Sequence, residues 1–371
     1  MAGRRENMNE LNELRKKINE IDGKMALLFE ERMEACREVA AYKQKTGLPV
    51  RDRKTEAEKI ARQKELIRDD TLRSYYVLFQ QSVMDISSSM QEMELSGMRV
   101  AYGGVEGAYA YLAASRLFPQ AQLTAQPDFA EAYRSVESGK CDCAVLPVEN
   151  SIAGEVGAVM DLMYSGPLYI NKIYDLPIRH RLLGLPGSTL EGITHVISHP
   201  QALGQCSSYL SARHLETETA ANTSAAARQV LEAGDPSVAA IASEETASLF
   251  GLEVLDNDIQ NAGLNTTRFA VFSRSLKTED SASQSADENF ILLFTVRNEA
   301  GALAAVLNII GAHGYNMRNL KSRPLPDLAW SYYFYLEAEG NIHTRNGQEM
   351  LQELSALCAG LKLAGTFREE H

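Results

Sequence analysis

Five cysteines in 371 residues, Cys36, Cys141, Cys143, Cys206 and Cys358, are too few and too scattered for a disulfide framework. They read as reduced thiols of a cytoplasmic protein. Cys141 and Cys143 alternate along one predicted strand, which makes them buried structural thiols. The seven histidines show no ligand spacing such as HExxH, so no metal is expected. An excess of positive charge is missing too: the net charge of -12 argues against a nucleic-acid partner. No apolar run approaches membrane-spanning length, and MAGRRENMNE has no apolar segment behind its arginines. Neither a membrane span nor a secretory signal is therefore expected. What remains, 45% hydrophobic and 23% charged residues, is ordinary for a globular protein of two or three domains.

Patterning divides the chain. Residues 8–96 are nearly all helix-compatible, broken at Gly47 and Pro49 and more softly at Asp69 and Asp70. They predict a long helix, a shorter one and a third long one. Leu11, Leu14, Ile18, Ile21, Met25 and Leu28 form an apolar stripe on the first, and Val39 resumes it. A helix of some 35 residues would leave that stripe uncovered in a compact monomer, so a bundle shared by two chains is expected. Over 97–275, β-rich runs such as RVAYGG, CDCAVLPVE, ITHVISHP and TRFAVFSR alternate with helical ones. This predicts an α/β domain with mainly parallel strands. The polar, Ser-rich stretch 276–288 is a linker by composition. Residues 289–368 then read strand, helix, strand, strand, helix, strand, the order of a ferredoxin-like α+β module.

Arg32 takes the next place on the apolar stripe, and Lys43, eleven residues on, faces the same way. A cation on an apolar face is costly unless something pairs with it. The two read as a clamp for an anionic ligand inside the bundle. Asp52 and Glu56 lie one turn apart on the second helix, and Ser87 and Gln91 do so on the third. Arg15, seventeen residues before Arg32, suits a site on a neighbouring chain. Singly, Arg15, Asp52 or Glu56 reads as an ordinary surface charge. Together, L-R-K-K-I with Arg15, E-E-R-M with Arg32, A-Y-K with Lys43, P-V-R-D with Asp52, then Glu56, and S-x-x-x-Q with Ser87 and Gln91 resemble the all-helical chorismate mutases. The resemblance implies a three-helix bundle in an intertwined dimer. It also implies the one-substrate rearrangement of chorismate to prephenate, helped by holding a compact conformer and by stabilising charge on the breaking ether oxygen. Arg15 from a partner chain and Arg32 would grip carboxylates. Lys43 and Gln91 would face the ether oxygen, and Asp52 or Glu56 would take the ring hydroxyl. Thr55 stands where that family usually has an arginine.

Four polar clusters fall at predicted strand ends, where open α/β sheets bind ligands. They are Tyr102-Gly-Gly-Val-Glu-Gly-Ala-Tyr109, Pro147-Val-Glu-Asn150-Ser151, Ser198-His-Pro-Gln through Gln205 with Asn222-Thr-Ser224 opening another helix, and Asn265-Thr-Thr-Arg-Phe269. The first lacks the full G-x-G-x-x-G, and no acidic residue closes the next strand, so no nicotinamide cofactor is expected. Taken singly, each Ser, Thr or Asn reads as a helix cap. Four hydrogen-bonding side chains in a row before AVFSR exceed what a strand lead-in needs. Arg268 among them suits a carboxylate, or a pairing with Glu149. Together, G-x-x-G-A-Y (104–109), P-V-E-N-S (147–151), S-H-P-Q with Gln205, T-S-A (223–225) and T-R-F (267–269) resemble prephenate dehydratase. The resemblance implies two α/β lobes around a cleft. It implies loss of carbon dioxide and hydroxide from prephenate with aromatisation, aided by a donor to the departing hydroxide. Thr267 would be that donor. Asn150, Ser198 and Gln205 would surround the ring hydroxyl, and Arg268 would position or grip a carboxylate.

In the last segment, Asn298-Glu-Ala-Gly301-Ala-Leu303 and Lys321-Ser-Arg-Pro324 resemble the ACT domain, an amino-acid-sensing module, with Lys321 where the motif usually has glutamate. Phenylalanine is the implied effector, at Gly301, Ala302, Leu303, Asn316, Ser322, Arg323 and Pro324. The whole then reads as a bifunctional cytoplasmic enzyme of phenylalanine biosynthesis, a homodimer or higher homo-oligomer. Two other readings stay open. One is a dehydratase whose degenerate helical domain serves dimerisation or regulation, and the other is a non-catalytic sensor of an aromatic acid.

Overall fold

A computed structural model describes residues 2–46, 50, 53–261, 263–276, 288–325 and 331–368. It divides into two units, Met1–Met98 and Arg99–His371.

The first unit is three helices, α1 (Ala2–Thr46), α2 (Arg53–Lys64) and α3 (Arg73–Ser96). The end of α1 runs along α3, with Met33, Ala40 and Met84 buried together with Ser87, Ser88 and Gln91. The predicted stripe lies on another face. Leu14, Ile18 and Ile21 are 54%, 57% and 53% exposed, so none of the described residues covers them. Val39, expected to resume the stripe, is also exposed, and Met33 and Ala40 turn to α3 instead. The helix thus has one face covered within the chain and a second face left open.

The second unit begins with a lobe of β1 (Arg99–Gly103), α4 (Tyr109–Leu117), β2 (Gln122–Gln126), α5 (Phe129–Glu137), β3 (Cys143–Asn150), β4 (Gly154–Glu155), α6 (Gly157–Ser165) and β5 (Tyr169–Pro177). The chain then crosses to a second lobe. This holds β6 (Arg181–Gly184), β7 (His195–Ser198), α7 (Pro200–Gln205), α8 (Ser207–Ala212), β8 (Glu216–Thr219), α9 (Thr223–Ala233), β9 (Val238–Ala242), α10 (Glu244–Phe250) and β10 (Glu253–Asp256). It returns as β11 (Thr266–Ser273). The second sheet runs β10-β6-β9-β7-β8, and in the first β11 lies between β5 and β3, followed by β1 and β2. The strands are less parallel than expected. Coming back from the other lobe, β11 enters antiparallel to both neighbours, and β6 is antiparallel to β9 and β10. Pro147 has no N–H for the ladder, and the β3–β11 register slips there by one residue. The slip sets Asn150 opposite Thr267 at the mouth of the sheet. Burial pushes the Cys143 and Cys206 thiols up to about 12, so they stay protonated.

The remaining elements are β12 (Glu288–Thr295), α11 (Ala302–Ala312), β13 (Asn316–Pro324), β14 (Tyr332–Glu339), α12 (Arg345–Leu357) and β15 (Gly360–Arg368). Their antiparallel sheet, β13-β14-β12-β15, continues into the first lobe because β15 pairs with β5 at Gly365 and Ile170. A Cβ at Gly365 would collide with the Ile170 carbonyl, so the close approach requires glycine. One apolar core crosses this seam, joining Met160, Met163 and Ile170 to Leu293, Tyr333 and Phe367. Tyr164 stacks on Tyr333 with ring centres 4.3 Å apart. No helix among the described residues is long and apolar enough to cross a membrane.

Candidate active sites

In the helical unit, four of the anticipated residues meet along the α1–α3 seam. Arg32 donates to Ser87 Oγ and, at 3.4 Å, to the Val83 carbonyl. Lys43 Nζ donates to the Val50 carbonyl at 2.6 Å and reaches Gln91 Oε1 at 3.5 Å. Both cations are half-buried, and Ser87 and Gln91 are buried. Glu56 is half-buried in the first turn of α2. Arg15 is exposed, and a rise of 1.5 Å per residue puts it about 25 Å up the helix from Arg32. Within one chain it cannot reach the same ligand. Asp52 lies outside the described residues.

In the second unit, a cavity of about 230 Å³ opens between the lobes. The first lobe contributes Tyr109, Asn150 and Thr267, and the crossing segments contribute Ile178, His180 and Asn265. The second lobe contributes His199, Gln201, Gln205, Asn222 and Thr223. The glycine turn before α4 carries Gly104 and Gly107 at φ +103° and +82°, which delays the helix to Tyr109. A Cβ at Gly107 would lie 2.8 Å from Ser224 Oγ. Ser224 donates to the Glu106 carbonyl, and Thr246 Oγ1 donates to the Gly107 carbonyl at 2.9 Å. The G-x-x-G-A-Y and T-S-A motifs therefore clasp one lobe to the other.

A hydrogen-bonded chain lines the cavity wall. Asn150 Oδ1 accepts from the backbone N–H groups of Ile152 (3.0 Å) and Ala153 (2.9 Å). Its Nδ2 donates to Asn265 Oδ1 (2.8 Å) and Thr267 Oγ1 (2.9 Å). Asn265 Nδ2 in turn donates to Gln205 Oε1 at 3.0 Å. A backbone N–H can only donate, so the Asn150 amide has one allowed orientation. Thr267 Oγ1 is consequently an acceptor in this chain, and its own hydrogen is left for a ligand.

Two anticipated residues stand elsewhere. Side chains alternate across a strand, so Arg268, next to Thr267, emerges on the opposite face of β11. Its guanidinium meets Asp175 at 3.1 Å and Glu337 at 3.3 Å. It is not among the residues lining the cavity, and Glu149, opposite it on β3, is met by Lys321 at 2.7 Å. Ser198 is fully buried, and its Oγ donates to the Ile241 carbonyl at 2.7 Å, joining β7 to β9. Among the described residues, neither a lysine nor an arginine lines the cavity. Three helix starts do: α4, whose cap residue Ala108 offers no side-chain acceptor, α7 and α9. His180 went unanticipated. It is 2% exposed, its Nε2 is 2.7 Å from Gln205 Oε1, and its Nδ1 is 3.3 Å from the Tyr109 hydroxyl. Burial holds its pKa below the ordinary value.

In the C-terminal elements, Gly301 starts α11 at φ +85° and Ala302 follows it. Leu303 lines a cavity of about 360 Å³ with Asn298, Leu325 and Tyr332. Ser322 and Pro324 pair along β14, and Asn316 donates to Glu339 at 2.8 Å. Arg323 is held by Glu155 and Asp161 of the first lobe, so it braces the seam.

A type II chorismate mutase family model matches residues 14–92, and a prephenate dehydratase model matches residues 100–277. The bifunctional chorismate mutase/prephenate dehydratase of Escherichia coli (strain K12) is 33% identical over 378 residues, covering 98% of this chain and 97% of that protein. The prephenate dehydratase of Arthrobacter aurescens, solved in complex with L-Phe, superposes with a TM-score of 0.67 at 25% identity, over 73% of this chain and 90% of its own. GqqA, described as a novel type of quorum-quenching acylase, gives a TM-score of 0.67 at 31% identity, over 73% of this chain and 98% of its own. With both of its catalytic segments matched and a whole-length relative at one-third identity, the chain belongs to the bifunctional chorismate mutase/prephenate dehydratase family.

Proposed function

We propose that the two reactions of this family run in separate sites of the chain. Residues 8–96 rearrange chorismate, and residues 97–275 convert prephenate to phenylpyruvate. In the helical site Arg32 grips a carboxylate, while Lys43 and Gln91 face the ether oxygen, with Ser87 fixing the Arg32 guanidinium. Arg15 enters from a second chain, and Asp52 or Glu56 takes the ring hydroxyl. The open apolar face of α1 and the remoteness of Arg15 support a dimer, in which both would be used.

In the cleft, Thr267 donates its hydroxyl hydrogen to the departing hydroxide as the ring aromatises and carbon dioxide leaves. A threonine hydroxyl is a poor acid, so the role is hydrogen bonding. The observation that carries this reading is the fixed direction of the Asn150–Thr267 hydrogen bond. Prephenate is a dianion, and among the described residues no lysine or arginine lines the cavity. We assign its carboxylates to the N–H groups at the starts of α4 and α9, and Arg268 to bracing β11.

The ferredoxin-like module 289–368, joined through the linker 276–288, acts as an ACT domain. Phenylalanine would bind at its cavity near Gly301, Ala302 and Leu303. The L-Phe in the solved relative supports that choice of effector. The setting is cytoplasmic. Separate assays of the two reactions test the division: Arg32→Ala should lose chorismate turnover and keep prephenate turnover, and Thr267→Val the converse. Loss of both activities from either change in a folded protein would contradict it.

A further inference from the structure

We infer that His180 is a positioning residue of the dehydratase site, whose ring, carrying its hydrogen on Nε2, gives the Gln205 oxygen its second hydrogen bond and so holds the amide, turned by Asn265, with its nitrogen toward the substrate. The inference rests on the reading of the cleft as that site. The direction of every bond follows from the backbone. Ile152 and Ala153 fix the Asn150 oxygen, so the Asn150 nitrogen must face Asn265. The Asn265 atom receiving it is then oxygen, and the Asn265 nitrogen must face Gln205. The Gln205 atom receiving that is oxygen, which also meets His180 Nε2 at 2.7 Å. Only an Nε2–H can answer it.

In the neutral ring Nδ1 is then bare, and it faces the Tyr109 hydroxyl at 3.3 Å, whose one hydrogen it shares with the Arg179 carbonyl at 3.2 Å. Burial favours this neutral form. No acceptor among the described residues engages Gln205 Nε2, although the residue lines the cavity. The amide therefore presents donors where a dianion must lie. Reversed, it would present an oxygen and repel the substrate. His180 sits in the segment that crosses between lobes, with Tyr109 from one lobe and Gln205 from the other. Its ring thus helps hold the second donor of the cavity that Thr267 also lines.

Two variants separate this role from proton transfer and from simple packing. Glutamine can place an N–H where Nε2 stands, while asparagine is too short to reach Gln205. His180→Gln should keep most of kcat for prephenate, and His180→Asn should lose about 10²-fold in kcat with a smaller change in KM. Equal loss in both folded variants, or loss in neither, overturns the inference. Nitrogen-15 spectra of the wild-type histidines, with the His180 signal identified by its absence from His180→Gln, give a second readout. Nε2 should carry the hydrogen and Nδ1 should be bare; the opposite tautomer overturns the inference even if His180→Asn fails to fold. Thr267→Val keeps the site reading distinct. Full prephenate turnover by that variant would remove the dehydratase assignment of the cleft itself.

Discussion

Asn150→Asp changes one NH2 to one oxygen and leaves the shape intact. One carboxylate oxygen would keep the Ile152 and Ala153 N–H groups. The other would face Asn265 Oδ1 at 2.8 Å, the Thr266 carbonyl at 3.2 Å and Thr267 Oγ1 at 2.9 Å. Two of those are acceptors. Thr267 can satisfy the carboxylate, but only by turning its hydrogen away from the substrate. Withdrawing one preorganised donor should lower kcat for prephenate by about 10²- to 10³-fold. The acceptor facing Asn265 should cost a further ~1–3 kcal/mol of stability. Position 150 is 8% exposed, so burial would raise this carboxyl above its ordinary value of about 3.9. Once protonated it can donate again and release the Thr267 hydrogen. The ratio of variant to wild-type activity should therefore rise as pH falls. Phenylpyruvate formation over a pH series measures it, with chorismate turnover as the internal control. Wild-type kcat at pH 7, or a ratio that falls with pH, would refute the reasoning.

Arg15→Ala and Arg32→Ala should each be inactive on chorismate, yet regain about a quarter of wild-type activity once their subunits exchange, because half of the randomly paired dimers are mixed and hold one intact site. No recovery after exchange would rule out a shared site. The buried His180 has a folded pKa below its value of 6.5 in the unfolded chain, so the unfolded state takes up the proton first as pH falls. Its hydrogen-bond partners are the Tyr109 hydroxyl, the Gln205 amide and, through its backbone, Gln260, with no carboxylate among them. Stability is thus full above about pH 6.5 and is lost below it, and urea titrations of wild type and His180→Gln should diverge there. Gly365→Ala forces a methyl onto the Ile170 carbonyl and should cost ~1–3 kcal/mol, read as a lower melting temperature with chorismate turnover unchanged.

Much of this was legible from residue order. The motifs at strand ends located Asn150, Gln205 and Thr267, because a polar residue at the mouth of an apolar strand has few structural reasons to be there. Arg268 shows what motif reading overlooks: adjacent residues of a strand face opposite ways, so Thr267 lines the cleft while Arg268 meets Asp175 and Glu337 on the other face. Ser198 ends a strand as expected, but its hydroxyl serves the neighbouring strand, a need visible only after pairing. His180 sits in no motif, and nothing local marks it. It matters because two segments 71 and 25 residues away converge on its ring. The seam at Gly365 was equally silent, since a glycine in a strand does not announce which backbone will approach it. On α1 the Met33 and Ala40 side packs within the chain, while the stripe of Leu14, Ile18 and Ile21, which the sequence assigns to a second chain, stands exposed.

The most direct test is the structure of Thr267→Val with prephenate bound. It should show the dianion between the lobes, its departing hydroxyl beside position 267, its carboxylates on the first N–H groups of α4 and α9, and Arg268 still paired with Asp175 and Glu337. Prephenate bound elsewhere, or Arg268 swung across to a carboxylate, would contradict the account.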